Sequence, residues 1–311
     1  KYYFITILFI AFILSICGTV FYKKLAIKKN ILADLNNRTL HDAPTPRGGG
    51  IVFASVFIVF IILFWKLNKL PDDLFFVLGV GGAIALVLGF LDDIFELGAK
   101  KKLAGHFLLS SWLLFWFNGG PLLTIDWVPS IIAIPLTLLL LVWIINAYNF
   151  MDGIDGMAIS GAVFVSGSFI LVMLITGNSS FFLILSTLLF VCTSAFMIFN
   201  WPPASIFMGD TGSIFLGYFF GAQITYTIMY DEISIYTWLI IFSYFIADTT
   251  ATQIARMLLL IKWTKAHRSH AYQNIARITN SHFKVTLGVM VYSLFWVLPL
   301  LIWSVREPVM A

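Results

Sequence analysis

Residues 74–91 read LFFVLGVGGAIALVLGFL, eighteen positions without a charge, and the next two residues are Asp92 and Asp93. A helix needs about 20 mostly apolar residues to cross the hydrocarbon core of a bilayer. Unpaired backbone polar groups are too costly in lipid, so an apolar stretch of this length predicts a helix. The segment therefore indicates a transmembrane helix that carries two adjacent carboxylates at one end.

Apolar blocks of this kind recur along the whole chain. The ten blocks lie near residues 3–22, 49–65, 74–91, 105–117, 130–148, 157–176, 181–199, 212–230, 236–260 and 285–304. The 311 residues are 60% hydrophobic and 11% charged, whereas soluble domains carry roughly 25% charged residues. We therefore expect one all-α domain over residues 1–311, a polytopic transmembrane bundle of about ten helices. The net charge of +4 gives no reason to expect a nucleic acid partner.

The basic residues predict the orientation, because cytoplasmic loops of membrane proteins are enriched in Lys and Arg. When successive connections are assigned to alternate sides, fifteen basic residues fall on one side and four on the other. In this interpretation the basic side is cytoplasmic, and both chain termini face outward. The five expected cytoplasmic loops cover about residues 23–48, 92–104, 149–156, 200–211 and 261–284.

Acidic residues gather on the same predicted side, which the loop-charge rule does not explain. They are Asp34, Asp42, Asp92, Asp93, Glu96, Asp152, Asp155, Asp210 and Asp248. The adjacent pair Asp92-Asp93 is self-repelling and lies at the negative end of a helix dipole, so a nearby cation would relieve both costs. The alternative is a solvated helix end that Lys100–Lys102 neutralise. The grouping as a whole indicates a site.

The most specific polar segment is Asn146-Ala-Tyr-Asn149-Phe-Met-Asp152-Gly-Ile-Asp155-Gly156. The two asparagines are three residues apart, as are the two aspartates, so each pair is expected to share a helical face. The glycines let a ligand or another helix come close. A structural turn is the alternative, but four polar residues between apolar runs favour a binding role.

Another predicted loop starts at Asn200 and contains Met208-Gly-Asp210-Thr-Gly-Ser213. Asp210 could cap the helix that follows, through the backbone N–H groups of its first turn. Alternatively it contributes to a Mg²⁺ site, because hard cations favour carboxylate oxygens from different segments together with substrate phosphate. The acids that could form such a set are Asp92, Asp93, Asp152, Asp155 and Asp210.

Two basic loops are candidates for phosphate binding, although each alone could be an ordinary connector. The first ends in three glycines, whose backbone amides can approach a phosphate. The last contains two histidines beside an arginine, which suits anion binding better than zinc, because no cysteine or third histidine is near. The candidate residues are Arg38, His41, Arg47, His267, Arg268 and His270.

Two ionisable residues, Asp248 and Arg256, lie within the ninth apolar block. Ionisable residues in membrane helices usually have a function, and a structural ion pair with another helix is the alternative. His106 and His282 are interpreted as incidental, a helix-end residue and a loop residue.

These motifs, in this order along nearly the whole chain, resemble those of the polyprenyl-phosphate N-acetylhexosamine-1-phosphate transferases, the superfamily of MraY and WecA. The resemblance implies transfer of a sugar-1-phosphate from a UDP-N-acetylhexosamine to undecaprenyl phosphate, at the cytoplasmic face of the bacterial inner membrane. It also implies Mg²⁺, with Mn²⁺ as the alternative, held by Asp92, Asp93 and Asp210. A homodimer is left open.

The resemblance carries over to further positions. The residues expected to be catalytic are Asp92, Asp93, Asp152, Asp155, His267 and His270. The residues expected to bind substrates are Arg38, His41, Arg47, Asn146, Asn149, Asn200 and Arg268.

The last basic loop reads His267-Arg-Ser-His270-Ala-Tyr-Gln and not the His-x-His-His of WecA. This variant resembles the branch that makes lipid-linked sugars for O-antigen, hence lipopolysaccharide, or related glycans. Transfer of phospho-N-acetylmuramoyl-pentapeptide, as by MraY, is the alternative within the superfamily. A transporter is the rival from another class, but transporters place ionisable residues near the bilayer midplane, whereas these acids cluster at helix ends on one side.

Overall fold

The structure is a computed structural model that describes residues 2–33, 44–120, 129–259 and 269–306. The helices are α1 (Tyr2–Lys28), α2 (Gly50–Lys66), α3 (Asp72–Leu74), α4 (Gly82–Phe95), α5 (Ala99–Trp116), α6 (Ser130–Phe150), α7 (Met157–Thr176), α8 (Phe181–Asn200), α9 (Gly209–Met229), α10 (Ile235–Ile241), α11 (Ser243–Leu258), α12 (Ala271–Thr279), α13 (His282–Tyr292) and α14 (Leu298–Arg306). The π-helical segments Phe75–Gly81 and Ser293–Val297 join α3 to α4 and α13 to α14. The predicted all-helical class is confirmed for these ranges, in which no strand forms.

Within the described ranges, six helical stretches are long and apolar enough to cross a membrane. They are Tyr3–Lys28, Asp72–Phe95, Ile131–Phe150, Met157–Thr176, Phe181–Asn200 and His282–Arg306. The 17-residue stretch Gly50–Lys66 is apolar but shorter. The predicted blocks near 105–117, 212–230 and 236–260 lie in α5, α9 and α10–α11, which are too polar or too short by the same measure. A multi-pass membrane protein is therefore supported, while the count of ten and the outward termini stay predictions.

The ninth block was predicted as one helix over 236–260, and this is wrong, because it is divided into α10 and α11. The backbone leaves helical geometry at Phe242, with φ −93° and ψ 7°. The Phe242 ring packs there between Trp238 and Phe220, with centroid distances of 6.1 and 5.6 Å. The interruption falls at a position without Pro or Gly, so the sequence pattern does not signal it.

The outside of the bundle is apolar, as a lipid environment requires. Large aromatic side chains such as Phe21, Phe115 and Phe295 are 70–77% exposed. An apolar surface of this extent would drive aggregation of a water-soluble protein. By contrast, α1 turns a stripe of small and polar residues at helical spacing towards α8 and α2, with Ala11, Ser15 and Thr19 fully buried.

Helix α9 is the centre of the bundle, and every residue from Thr211 to Ile228 is buried. It packs against α2, α4 and α6. Several of its polar side chains have hydrogen-bond partners within the described part of the chain, although Oε1 of Gln223 has none there. For example, Gln223 donates to Ser186 Oγ at 2.7 Å, and Tyr218 donates to the carbonyl of Val77 at 3.0 Å. A polar helix is therefore stable in this position, because protein and not lipid surrounds it.

Glycines let the neighbouring helices come close to the first turn of α9. A Cβ on Gly89 of α4 would lie 2.3 Å from the carbonyl oxygen of Asp210 and 2.5 Å from Cα of Thr211. A Cβ on Gly50 of α2 would lie 2.3 Å from Cα of Gly212. These are backbone atoms that cannot rotate aside, so the close helix crossings require glycine.

The crossing at Gly89 predicts opposite effects for two Gly→Ala substitutions inside helices. G89A inserts a methyl group against backbone and is expected to destabilise the protein by about 1–3 kcal/mol. G288A in α13 meets no atom within 4 Å, and it is expected to stabilise the protein by about 0.5–1 kcal/mol through helix propensity. Tryptophan fluorescence during thermal unfolding in detergent measures both. Equal melting temperatures for the two variants would contradict the close crossing.

Candidate active site

The carboxylate of Asp93, near the C-terminal end of α4, caps the N-terminus of α9. Its Oδ1 accepts from the backbone N–H of Asp210 at 3.0 Å. Its Oδ2 accepts from the N–H and the hydroxyl of Thr211, at 3.0 and 2.5 Å. The suggestion that Asp210 itself caps this helix is therefore wrong, because the cap comes from another helix and the Asp210 side chain turns elsewhere.

The side chain of Asp210 meets Asp92 and Lys102. Lys102 Nζ lies 2.5 Å from Oδ2 of Asp92 and 3.0 Å from Oδ2 of Asp210. The two carboxyl groups are themselves within hydrogen-bonding range of each other. Burial alone would lower the pKa of Lys102, but the two carboxylates outweigh it and raise that pKa above its usual value. The C-terminal end of α4 and the N-terminal ends of α5 and α9 thus form one charged cluster.

Helix α6 brings Asn149 to this cluster. Its amide donates to Oδ1 of Asp210 and, at 2.8 Å, to Ser213 Oγ. The two asparagines of α6 were expected to share a helical face, but they bond to different partners. The amide of Asn146 donates to the carbonyl of Val142 in its own helix at 2.8 Å.

Asp152 lies just beyond α6, half-buried, in the turn that leads to α7. Burial, followed by the carboxylates of Asp210, Asp93 and Asp155, raises the pKa of Asp152 well above its usual range. Asp152 and Asp155 do not share a helical face as expected, since residues 151–156 form a turn that ends at Gly156 with φ +73°. Asp152 therefore lies in the negative potential of the neighbouring carboxylates, which favours its protonated form.

Arg47 lies beside the cluster and holds the end of α4. Its guanidinium donates to the backbone carbonyl of Asp93 and is 3.7 Å from Glu96. Backbone hydrogen bonds fix this segment to the loop before α9. Phe207 N–H donates to the carbonyl of Pro46 at 2.8 Å, and Gly49 N–H donates to that of Phe207 at 2.9 Å. Two predicted loops that are distant in sequence are thus one unit.

Two of the predicted site residues have structural partners instead of joining the cluster. Asp155 accepts from the N–H of Ala204 at 2.9 Å, and His282 Nδ1 is 3.1 Å from its other oxygen. Asn200 is buried, accepts from the N–H of Gly156 at 3.2 Å and donates to the carbonyl of Ile206 at 2.9 Å. These bonds join the turn after α6 to the loop before α9.

His270 stands at the start of α12, where it is buried and lies 3.7 Å from Asp248. The same Asp248 oxygen accepts from the N–H of Ala271 at 2.8 Å, so Asp248 caps α12. Tyr272 in that helix donates to the carbonyl of Phe150 at 2.6 Å. Helix α12 therefore packs against the end of α6, next to the acidic turn. The other predicted residues of the basic loops, Arg38, His41, His267 and Arg268, lie outside the described residues.

Sequence reasoning missed two residues that the structure brings into or beside the site. Lys102 was named only together with Lys100 and Lys101, as charges that could neutralise a solvated helix end, yet Lys100 and Lys101 are exposed while Lys102 is half-buried and contacts Asp92. Lys102 lies four residues before His106, which is fully buried, so helical spacing could have identified it. His282 was interpreted as incidental, and its partner Asp155 is too distant in sequence for any local pattern to indicate.

The acidic cluster suits a divalent cation in the way that Mg²⁺ usually binds. Among the described residues, no three His, Cys, Asp or Glu side chains converge as a ready-made ligand set. Mg²⁺ commonly takes one or two carboxylates together with substrate phosphates. Asp92 and Asp210 supply two, and the buried Oδ2 of Asp92 makes no well-aligned hydrogen bond within the described part of the chain, although Lys102 is close.

Comparison with known proteins identifies relatives over most of the chain. The sequence model of glycosyl transferase family 4 matches residues 75–228. A "Probable undecaprenyl-phosphate N-acetylglucosaminyl 1-phosphate transferase" of Bacillus subtilis is 33% identical over 285 residues, 88% of this chain and 78% of that protein. A decaprenyl-phosphate N-acetylglucosaminephosphotransferase of Mycolicibacterium smegmatis is 28% identical over 91% of this chain and 77% of its own. A phospho-N-acetylmuramoyl-pentapeptide-transferase of Fervidobacterium nodosum is 36% identical over 63% of this chain and 61% of its own.

The raised pKa of Asp152 predicts a pH-dependent effect of D152N on stability. The folded state holds the proton more tightly than the unfolded state, so the wild type loses stability as pH rises through the unfolded pKa of about 3.9 towards the folded value. The amide side chain of the variant cannot ionise and escapes this loss. We expect D152N to melt a few degrees above the wild type at pH 8 and to approach it at pH 4. A difference in melting temperature that does not change with pH would contradict the assignment.

Proposed function

The chain belongs to glycosyl transferase family 4, among the polyprenyl-phosphate hexosamine-1-phosphate transferases, and we propose that it transfers an N-acetylhexosamine-1-phosphate from a UDP-sugar to undecaprenyl phosphate. In this reaction an acceptor phosphate oxygen forms a bond to the β-phosphorus of the UDP-sugar. The bond from that phosphorus to the bridging oxygen breaks, and UMP leaves. The bacterial inner membrane, with the site at its cytoplasmic face, is part of this proposal.

The observation that carries the proposal is the convergence of Asp92, Asp210 and Lys102 from three helices. Phosphoryl transfer requires mainly positioning and charge neutralisation from a protein. The cluster offers carboxylates for a cation and an ammonium group for phosphate oxygens within a few ångströms. The cluster lies at helix ends, and the described part of the chain has six apolar spans. This location suits a reaction between a water-soluble nucleotide sugar and a membrane lipid.

Asp92 and Asp210 are the residues that would hold Mg²⁺, which when bound would screen the charge of the two reacting phosphates. Asn149 donates to Asp210 and so orients its carboxylate. Lys102 is placed to bind phosphate oxygens of the substrates, since an ammonium group has three donors and can exchange carboxylate partners for phosphate oxygens. Asp152 and the end of α12 border the site and supply candidate contacts to the donor.

No general base is needed for the acceptor. A phosphate monoester has a second pKa of about 6, so at pH 7 roughly nine in ten acceptors are already dianions. Deprotonation by an aspartate would therefore gain only a few tenths of a kcal/mol. We accordingly assign Asp92 to metal binding and orientation.

N-acetylglucosamine is the sugar we propose first, since the relatives from B. subtilis and M. smegmatis carry it in their names. The F. nodosum relative favours phospho-N-acetylmuramoyl-pentapeptide as the second candidate, although that match covers less of the chain. The O-antigen branch rests on a histidine loop of which residues 260–268 lie outside the described ranges. N-acetylfucosamine and N-acetylquinovosamine are the further candidate sugars if the chain belongs to that branch.

The activity is tested with purified protein, Mg²⁺, undecaprenyl phosphate and a panel of UDP-sugars that includes UDP-N-acetylmuramoyl-pentapeptide. We expect UMP release and a lipid-linked product with UDP-N-acetylglucosamine, and loss of both after chelation of divalent cations. D210N is expected to reduce the rate by at least about 100-fold. D73N, on the opposite side of the bundle in the predicted topology, is the matched control. No UMP release with any donor would overturn the proposal.

The role of Asp92 is tested by D92N. If Asp92 acts through the metal, the variant needs more Mg²⁺ for half-maximal activity, and the pH dependence of the remaining activity is unchanged. Titrating Mg²⁺ and pH separately distinguishes the two roles. An unchanged Mg²⁺ requirement together with a demand for higher pH would favour a general base instead.

A further inference from the structure

The adjacent residues Asp92 and Asp93 are bound in entirely different ways. Asp92 faces Lys102 and Asp210, as described above, and its Oδ2 makes no well-aligned hydrogen bond within the described part. Asp93 is 5% exposed, and its two oxygens accept three hydrogen bonds from the first turn of α9. Residues one apart on a helix point about 100° away from each other, so the pair cannot serve one ligand in the same manner.

The first turn of α9 depends on this contact for its cap. The initial N–H groups of a helix have no partner within the helix. Met208, at the N-cap position, makes no side-chain capping bond. Gly209 has φ +73°, and a Cβ there would lie 2.5 Å from Oδ2 of Asp93. The local sequence thus leaves room for an acceptor from another helix and supplies none of its own.

The hydrogen bonds of Asp93 occupy most of the lone pairs that a cation would need. A carboxylate offers about four lone-pair directions, and three of those on Asp93 are directed at Asp210 and Thr211. The backbone carbonyl of Asp93 is also bound, by Arg47. Coordination of a metal by Asp93 would therefore be restricted to the one remaining direction on Oδ1, and bidentate coordination would release the cap of the helix that carries Asp210.

We propose that Asp93 is a positioning residue that holds the first turn of α9, and with it Asp210, instead of being a metal ligand. This inference rests on the proposed function and gives the two adjacent aspartates different roles. Asp92 and Asp210 are left to hold the cation, and Asp93 fixes the distance between them by joining α4 to α9.

The different roles of Asp92 and Asp93 are tested by the binding of Mn²⁺ to the detergent-solubilised protein, measured by electron paramagnetic resonance. D92N and D210N are expected to weaken Mn²⁺ binding by at least about tenfold. D93N retains an acceptor oxygen, and Asn caps a helix about as well as Asp, so its Mn²⁺ affinity is expected to change by less than about threefold. A loss of affinity in D93N equal to that in D210N would overturn the proposal.

Kinetics supply a readout that a general loss of folding would not produce. Because Asp93 acts through the geometry of Asp210, D93N is expected to lower kcat while the KM for the UDP-sugar and the half-saturating Mg²⁺ concentration stay near their wild-type values. D93A, which removes every acceptor, is expected to lower kcat further. Equal losses of kcat in D93N and D93A would indicate that Asp93 is a metal ligand, because neither variant side chain offers a carboxylate.

A double-mutant cycle with T211V tests the cap itself. The hydroxyl of Thr211 donates a hydrogen bond to Asp93, so T211V and D93A should both lower the melting temperature. Their combination should be little worse than D93A alone, because residues in contact are not additive. Additive losses would overturn the capping contact. If the wild type neither binds Mn²⁺ nor transfers sugar phosphate while this coupling persists, the proposed function fails and the cap stands.

Discussion

The contact between α4 and the first turn of α9 is the constraint on which the rest of the site depends. Gly89 lets the two backbones touch, and the carboxylate of Asp93 completes the N-terminus of α9. The close approach therefore places Asp92 beside Asp210. A side chain at position 89 would push the two helices further apart. Asp92 and Asp210, which are more than a hundred residues apart in sequence, would then not share the charge of Lys102.

The sequence alone predicts the fold class and most of the site's composition. Apolar blocks dictate helices because lipid leaves no other way to satisfy the backbone. Motifs at the predicted loops identified Asp92, Asp210 and Asn149, which the structure brings together. Helix α9 was also predicted as a block, although its polar residues make sense only once its neighbours are known, since Gln223 and Tyr218 bond to α8 and to the segment before α4.

The direction of individual side chains could not be predicted, because it depends on packing between distant segments. Three lysines in a row carry the same topological signal, and only the structure distinguishes Lys102 from its neighbours. Likewise, Asp155 and Asn200 belong to motifs that suggest chemistry, yet their bonds to Ala204 and Gly156 hold two loops together. A motif therefore indicates that a residue type has a role, but it does not distinguish a role in the reaction from a role in holding the fold together.

The crossing of α2 over α9 at Gly50 and Gly212 limits where new substrate preferences can evolve. A Cβ on Gly50 would collide with the backbone of Gly212, so this position cannot accept a side chain without pushing the helices apart. The first turn of α9, which carries Asp210, is thus held against α2 as well as against α4, and a side chain on Gly50 would displace it. Divergence between related enzymes that handle different sugars is therefore expected first in the turn after α6 and in α12, where side chains make the contacts and can change one at a time.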